Sequence, residues 1–267
     1  MPLFQLAILA IVQGITEFLP VSSSGHLVLL PMLMGTEDQG LALDVAVHVG
    51  TLAAVMIFFR AEMARLVRGV AHILSGSFST SEARFVWLLG IATVPVVVAG
   101  LILKMTGLDQ AMRSVAVIGW TMLLFGLLLY WADQRGSTDR VESDWNLRDA
   151  IIMGLWQAAA LIPGTSRSGI TITASRLLGY RREDGARIAM VMSIPTIIAS
   201  GVLLGADVIG NADWAVLRDG AIGAAMAFVA AYLALALMMR LLRSVSYTPY
   251  VIYRVILGLV LLGIAYL

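Results

Sequence analysis

The chain has 267 residues, 60% of them hydrophobic and 13% charged, with a mean hydropathy of +0.90 and a formal net charge of +1. Soluble domains carry about a quarter charged residues, so the composition excludes a water-soluble globule, and no nucleic-acid partner is expected. There is no cysteine, which excludes disulfides and thiolate metal sites and leaves Glu, Asp, His or a substrate phosphate to hold any metal.

Apolar segments fall at about 2–19, 22–35, 41–59, 85–103, 114–132, 147–162, 167–179, 185–206, 215–239 and 249–267. The first has no basic residue ahead of it and carries Gln13 and Glu17 where a leader's apolar run would continue, so a cleavable signal peptide is not expected. Crossing a hydrocarbon core of about 30 Å takes about 20 helical residues. Four segments are too short or too interrupted for that: 2–19 with 22–35, and 147–162 with 167–179, each pair broken by a cluster of Pro, Gly and Ser. Each pair reads as a re-entrant helical hairpin, over 2–35 and 147–179. The fold expected is therefore an all-α polytopic bundle of six transmembrane helices and two re-entrant hairpins in one membrane domain. Its first half is 1–132, its linker the mixed-charge, solvated stretch from Asp133 to about 146–149, and its second half 147–267. Residues 61–74 mix Glu62, Arg65 and Arg68 with Met63, Leu66 and Val67, the pattern of an amphipathic surface helix with a solvated His72.

Orientation follows from the basic residues. A cytoplasmic 60–84 loop places Arg60, Arg65, Arg68, Arg84, Arg135, Arg140, Arg148, Arg181, Arg182, Arg187, Arg240 and Arg243 inside and only Lys104, Arg113 and Arg218 outside. The positive-inside rule favours that arrangement, with the linker cytoplasmic, both termini outside and the hairpins entering from opposite faces. The hairpins also resemble each other: QGITEFLPVSSSG against QAAALIPGTSRSG, with Gln13 and Gln157 each 12 residues before Gly25 and Gly169. Two similar halves of opposite topology form an inverted repeat, whose polar site lies where the broken helices meet.

That site is where ionisable residues stand in apolar surroundings, which is expensive and demands a partner or a function. The first turn holds Glu17, Ser22, Ser23, Ser24 and His26; the second holds Ser166, Arg167 and Ser168, then Gly169 opening a helix. A helix N-terminus with an added guanidinium describes an anion site, and phosphate fits it best. A Ser hydroxyl or the His26 imidazole can attack phosphorus, Glu17 can orient, deprotonate or hold Mg²⁺, and Arg167 can neutralise the phosphoryl oxygens. The same residues would also serve a transporter, and the residues taken one by one leave phosphatase and transporter both open. Among the other polar residues, His48 and Asp44 read as a helix cap or packed core and Arg254 as snorkelling to headgroups. Arg176 reads either as approaching a second phosphate or as pointing to the interface.

The segments QGITEFLPVSSSGH at 13–26 and PGTSRSG at 163–169 closely resemble the two motifs of the undecaprenyl-diphosphate phosphatase family, the bacitracin-resistance type of bacterial membrane phosphatase. The resemblance implies dephosphorylation of a C55 polyprenyl diphosphate at the outer face of the bacterial cytoplasmic membrane, recycling the carrier of cell-wall glycan precursors. It implies catalytic roles for Glu17, Ser23, His26 and Arg167, with His26 as general base for Ser23 or as the nucleophile itself. Ser22, Ser24, Gly25, Gly164, Thr165, Ser166, Ser168 and Gly169 are then expected to line the substrate site. It further implies a divalent cation, Mg²⁺ or Ca²⁺, and a homodimer. Gln13 stands where many members have Glu, so Glu17 carries more of the metal or base role, with Gln13 the weaker ligand. A flippase using the same basic pocket is the alternative.

Overall fold

The computed structural model describes residues 1–36, 39–108, 112–209 and 214–267, with residues 205–209 by backbone alone. Eleven α-helices make up the described chain: α1 Leu3–Phe18, α2 Ser23–Met34, α3 Leu41–Phe58, α4 Arg60–Leu74, α5 Ser81–Thr106, α6 Val115–Arg135, α7 Leu147–Ala158, α8 Arg167–Leu177, α9 Arg182–Ile209, α10 Trp214–Leu241 and α11 Thr248–Tyr266. Six of them, α3, α5, α6, α9, α10 and α11, have the length and apolar composition to cross a bilayer. These are the six segments that hydropathy marks. Large apolar side chains such as Trp87, Leu233 and Ile256 are more than half exposed on their outer faces, as a lipid solvent allows.

The two breaks that separate α1 from α2 and α7 from α8 have local causes. Leu19 precedes Pro20, and a residue before proline is pushed out of the helical region; it is extended at φ −67°, ψ 144°. Ser22 and Ser166 then take φ of 74° and 72°, the positive values otherwise confined to glycine among the described residues. Each serine opens the next helix as its N-cap, Ser22 Oγ accepting from the Gly25 amide at 3.4 Å and Ser166 Oγ from the Gly169 amide at 3.1 Å. Left-handed geometry costs a side-chain-bearing residue of order 1–3 kcal/mol and persists only where the surroundings impose it.

Helix α1 packs on α2, α3 and α10. A Cβ at Gly14 would stand 2.6 Å from Ala230 Cβ and 2.7 Å from the Ala227 carbonyl oxygen, so the helix carrying Gln13 and Glu17 lies backbone against backbone on α10. Gly50 brings α3 equally close, to the Ala224 carbonyl of α10. Helix α8 lies among α6, α7 and α9, and α11 covers α6. The site thus rests on short helices wedged between long ones.

The stretch from Asp133 to Asp149 is exposed over much of its length, as its charge suggests, but the aspartates at its two ends are not solvated. Asp133 is buried and accepts from Arg176 Nε at 3.1 Å, Arg182 Nε at 2.8 Å and the Tyr247 amide at 3.2 Å. Asp149 is buried against Arg140 and accepts from the Tyr180 hydroxyl at 2.6 Å. Burial, and then that hydrogen bond, push the Tyr180 phenol above its ordinary pKa. Carboxylates paired this fully can leave water, which sequence charge alone does not reveal. Arg176 spends its remaining donors on the carbonyls of Ser137, Gly136 and Tyr180, so it ties the linker down and reaches neither a phosphate nor the interface. His72, expected in solvent, is half-buried with Nδ1 3.0 Å from Thr80 Oγ1.

Candidate active site

Glu17 is the hub at which the two turns meet. One turn after Gln13 on α1, its Oε2 accepts from Gln13 Nε2 at 2.9 Å and from Ser23 Oγ at 2.7 Å. Its Oε1 accepts from Arg167 Nη2 at 2.7 Å, across 150 residues of chain. An acid from the first turn and a guanidinium from the second therefore share one pocket. Ser23 and Arg167 are the first residues of α2 and α8, so each projects from a helix N-terminus with its unsatisfied amides and positive dipole end. Arg167 Nη1 is buried without a hydrogen-bond partner, which leaves a charged donor free for an anion in a site already rich in positive potential.

The other motif residues build the frame. Ser22 and Ser166 are buried caps whose hydroxyls also lie near those of Ser24 and Ser168, at 3.4 and 3.1 Å. Ser168 Oγ donates to the Leu19 carbonyl at 2.9 Å, joining the second turn to the first. Gly164 has φ 86°, and a Cβ there would fall 2.2 Å from Thr121 Oγ1. Thr121 itself donates to the Pro163 carbonyl at 2.6 Å. Thr165 is fully buried with its hydroxyl unpartnered. Gly25 and Gly169 supply the capped amides, and among the serines of the two motifs Ser24 alone is exposed.

Arg254 does not snorkel. It is fully buried and donates to five carbonyl oxygens: Pro20 of the first turn at 3.3 Å, Gly164 and Thr165 of the second at 3.1 and 2.9 Å, and Thr121 and Met122 of α6 at 3.3 Å each. The breaks expose the Pro20, Gly164 and Thr165 carbonyls, which one guanidinium satisfies together while it also reaches the backbone of α6. The signal for this role was weak: an arginine six residues into an apolar helix, whose partners lie far away in sequence.

His26 and His48 fall differently from expectation. The His26 ring hydrogen-bonds to neither Ser23 nor Glu17; its Nδ1 lies 2.7 Å from the Ser22 carbonyl oxygen and its Nε2 2.5 Å from the Tyr253 hydroxyl of α11. Ser23 therefore has Glu17 as its proton acceptor. His48, read from sequence as a cap or core residue, approaches Glu17 Oε2 to 3.7 Å through Nε2 while Nδ1 lies 2.7 Å from the Asp44 carbonyl. It borders the site from α3, a neighbour that no motif announced.

A divalent cation has limited protein ligation here. Among the described residues no three His, Asp or Glu side chains converge as metal ligands. Gln13 Oε1, however, is buried without a hydrogen-bond partner on the amide whose nitrogen touches Glu17. One carboxylate and one amide oxygen are hard donors that suit Mg²⁺ or Ca²⁺ when substrate phosphates supply the remaining ligands.

Known proteins are similar to this chain over essentially its whole length. A protein of Jannaschia sp. named undecaprenyl-diphosphatase is 64% identical over 266 residues, covering 100% of both chains. One of the same name from Dinoroseobacter shibae is 66% identical over 266 residues, again covering 100% of each. Another from Chromohalobacter salexigens is 48% identical over 254 residues, covering 95% of this chain and 96% of its own length. The family model described as bacitracin resistance protein BacA matches residues 6–260, and the chain belongs to this family.

Proposed function

We infer that the chain hydrolyses undecaprenyl diphosphate to undecaprenyl phosphate and inorganic phosphate, recycling the lipid carrier of cell-wall glycan synthesis. The observation that carries the chemistry is the Ser23–Glu17–Arg167 cluster: a hydroxyl on its proton acceptor, with a free cationic donor beside it. The substrate identity comes from the relatives' shared name. A polyprenyl tail remains in lipid while its diphosphate enters between the hairpins.

The terminal phosphate binds at the N-termini of α2 and α8 and takes the free donor of Arg167. As Arg167 turns part of its charge to the phosphate, Glu17 becomes the stronger base for Ser23. Ser23 Oγ then bonds to the terminal phosphorus in line with the bridging oxygen, its proton passing to Glu17. The bridging P–O bond breaks, and its electron pair leaves on polyprenyl phosphate. Water displaces phosphate from the phosphoserine, and Glu17 returns the proton to Ser23 Oγ. His26, held away from Ser23, serves this second step. Positioning and charge neutralisation supply most of the acceleration, as in phosphoryl transfer generally. A divalent cation held by Glu17, Gln13 Oε1 and the substrate would add neutralisation of the phosphoryl oxygens.

An inverted repeat of two re-entrant hairpins explains the cluster's construction. Ser166 stands to Gly169 as Ser22 stands to Gly25, with matching φ and matching caps, and Gln13 and Gln157 are both buried amides with an unpartnered oxygen. In that frame Ser23 and Arg167 occupy one repeat position, the first residue of the inner helix, with nucleophile in one half and cation in the other. The arginine distribution then turns the first hairpin to the outer face of the bacterial cytoplasmic membrane.

Purified protein in detergent is expected to release inorganic phosphate from a C55 diphosphate in the presence of Mg²⁺, and to release markedly less after chelation. Movement of the lipid phosphate with no phosphate release would establish the flippase instead. In a chain free of cysteine, Ser24→Cys on intact cells is expected to react with an impermeant thiol reagent from the outer face; reaction only from inside would reverse the orientation.

A further inference from the structure

Both nitrogens of His26 are engaged. The Ser22 carbonyl oxygen 2.7 Å from Nδ1 can only accept, so Nδ1 carries the ring hydrogen and Nε2 the lone pair of the neutral imidazole. That lone pair faces the Tyr253 hydroxyl at 2.5 Å. The two rings are stacked, 5.7 Å apart and 7° from parallel. Turning the imidazole toward Ser23 would break both hydrogen bonds and the stack. His26 therefore has no direct route to a reacting oxygen, and its outlet is the phenol. Tyr253 is 44% exposed, and its oxygen has acceptor capacity to spare after donating to Nε2. Its place is fixed from below, because the next residue, Arg254, is pinned to carbonyls of both turns. A tyrosine near the end of an apolar helix usually anchors the interface; one whose hydroxyl closes on a site histidine from a locked position does more.

We propose that Tyr253 is a further catalytic residue, the hydroxyl through which His26 takes the proton of the water that attacks phosphoserine. The inference rests on the Ser23 phosphoenzyme proposed above. In the step, the water oxygen bonds to phosphorus as the Ser23 Oγ–P bond breaks, and its electron pair goes to Oγ with the proton held by Glu17. One water proton passes to the Tyr253 oxygen while the phenolic proton passes to His26 Nε2. Phosphate leaves, and the imidazolium returns its proton to solvent by the same path.

The test is Tyr253→Phe in the full chain, which keeps the ring and the stack and removes only the hydroxyl. General acid–base groups contribute about 10²–10⁴-fold, so turnover is expected to fall roughly a hundredfold. Rapid-quench experiments with diphosphate labelled in its terminal phosphate are expected to show phosphoenzyme forming within about twofold of the wild-type rate and then accumulating. The chain has only three histidines, so ring ¹⁵N spectra follow each one: the variant should move the His26 signals and leave His48 and His72 in place. Turnover within twofold of wild type, or a slowed first step without accumulation, overturns the relay alone. Turnover without any phosphoenzyme in the wild-type chain brings down the Ser23 step, and the relay with it.

Discussion

Replacing Arg167 with Ala is expected to reduce phosphate release at least about a thousandfold, the scale on which a single arginine stabilises transferring phosphoryl groups. In the resting site Arg167 pairs with Glu17 at 2.7 Å and keeps Nη1 free. Its loss removes the phosphate's charged donor and leaves Glu17 buried without its cation, which favours the protonated acid that cannot act as a base. Arg167→Lys separates these effects. An ammonium can restore the charge near Glu17 but cannot present one donor to the carboxylate and another to phosphate in a fixed plane, so about a tenfold recovery over Ala is expected, far short of wild type. Full activity in the Lys variant would reduce the fork to a point charge.

Glu17→Gln is expected to cost a comparable factor, about 10³–10⁴ in turnover, with a different signature. The amide preserves shape and still accepts a hydrogen bond from Ser23, so substrate should bind within a few-fold of wild-type affinity, while proton acceptance, worth about 10²–10⁴, is lost. The variant also leaves the Arg167 guanidinium unpaired in a pocket where both side chains are largely buried. Breaking a buried pair costs about 3–5 kcal/mol, so thermal unfolding should move downward, and saturating substrate, by engaging Arg167, should restore part of the shift. A variant that binds substrate, is stabilised by it and does not turn it over is the expected combination. Appreciable turnover in Glu17→Gln would return the role of base to His26.

The spanning helices and both broken segments were legible because lipid leaves little choice: a run either has the apolar length to cross or it does not. The contact between Glu17 and Arg167 was legible as a demand, since an acid and a cation in apolar surroundings each need a partner, and the two turns offered them to each other. His48, Tyr253 and Arg254 were not legible. They sit on unbroken helices α3 and α11, where a polar residue near an end has a cheap default, a cap or the headgroup region, and nothing local cancels that default. What cancels it is the set of carbonyls freed by turns more than 80 residues away from Arg254. The pairing of Ser23 with Glu17 rather than His26 was equally hidden, because it depends on the positive φ of Ser22, which fixes how α2 leaves the turn.

The account depends on Ser23 attacking phosphorus while Glu17 takes its proton. The direct measurement is mass-spectrometric mapping of the phosphoenzyme trapped from the C55 diphosphate under conditions that preserve both phosphoserine and phosphohistidine. Phosphate on Ser23, absent in Glu17→Gln, is the expected result. Phosphate on His26 would contradict the account, because it requires the imidazole to leave Tyr253 and Ser22 and to do what the structure gives to the serine.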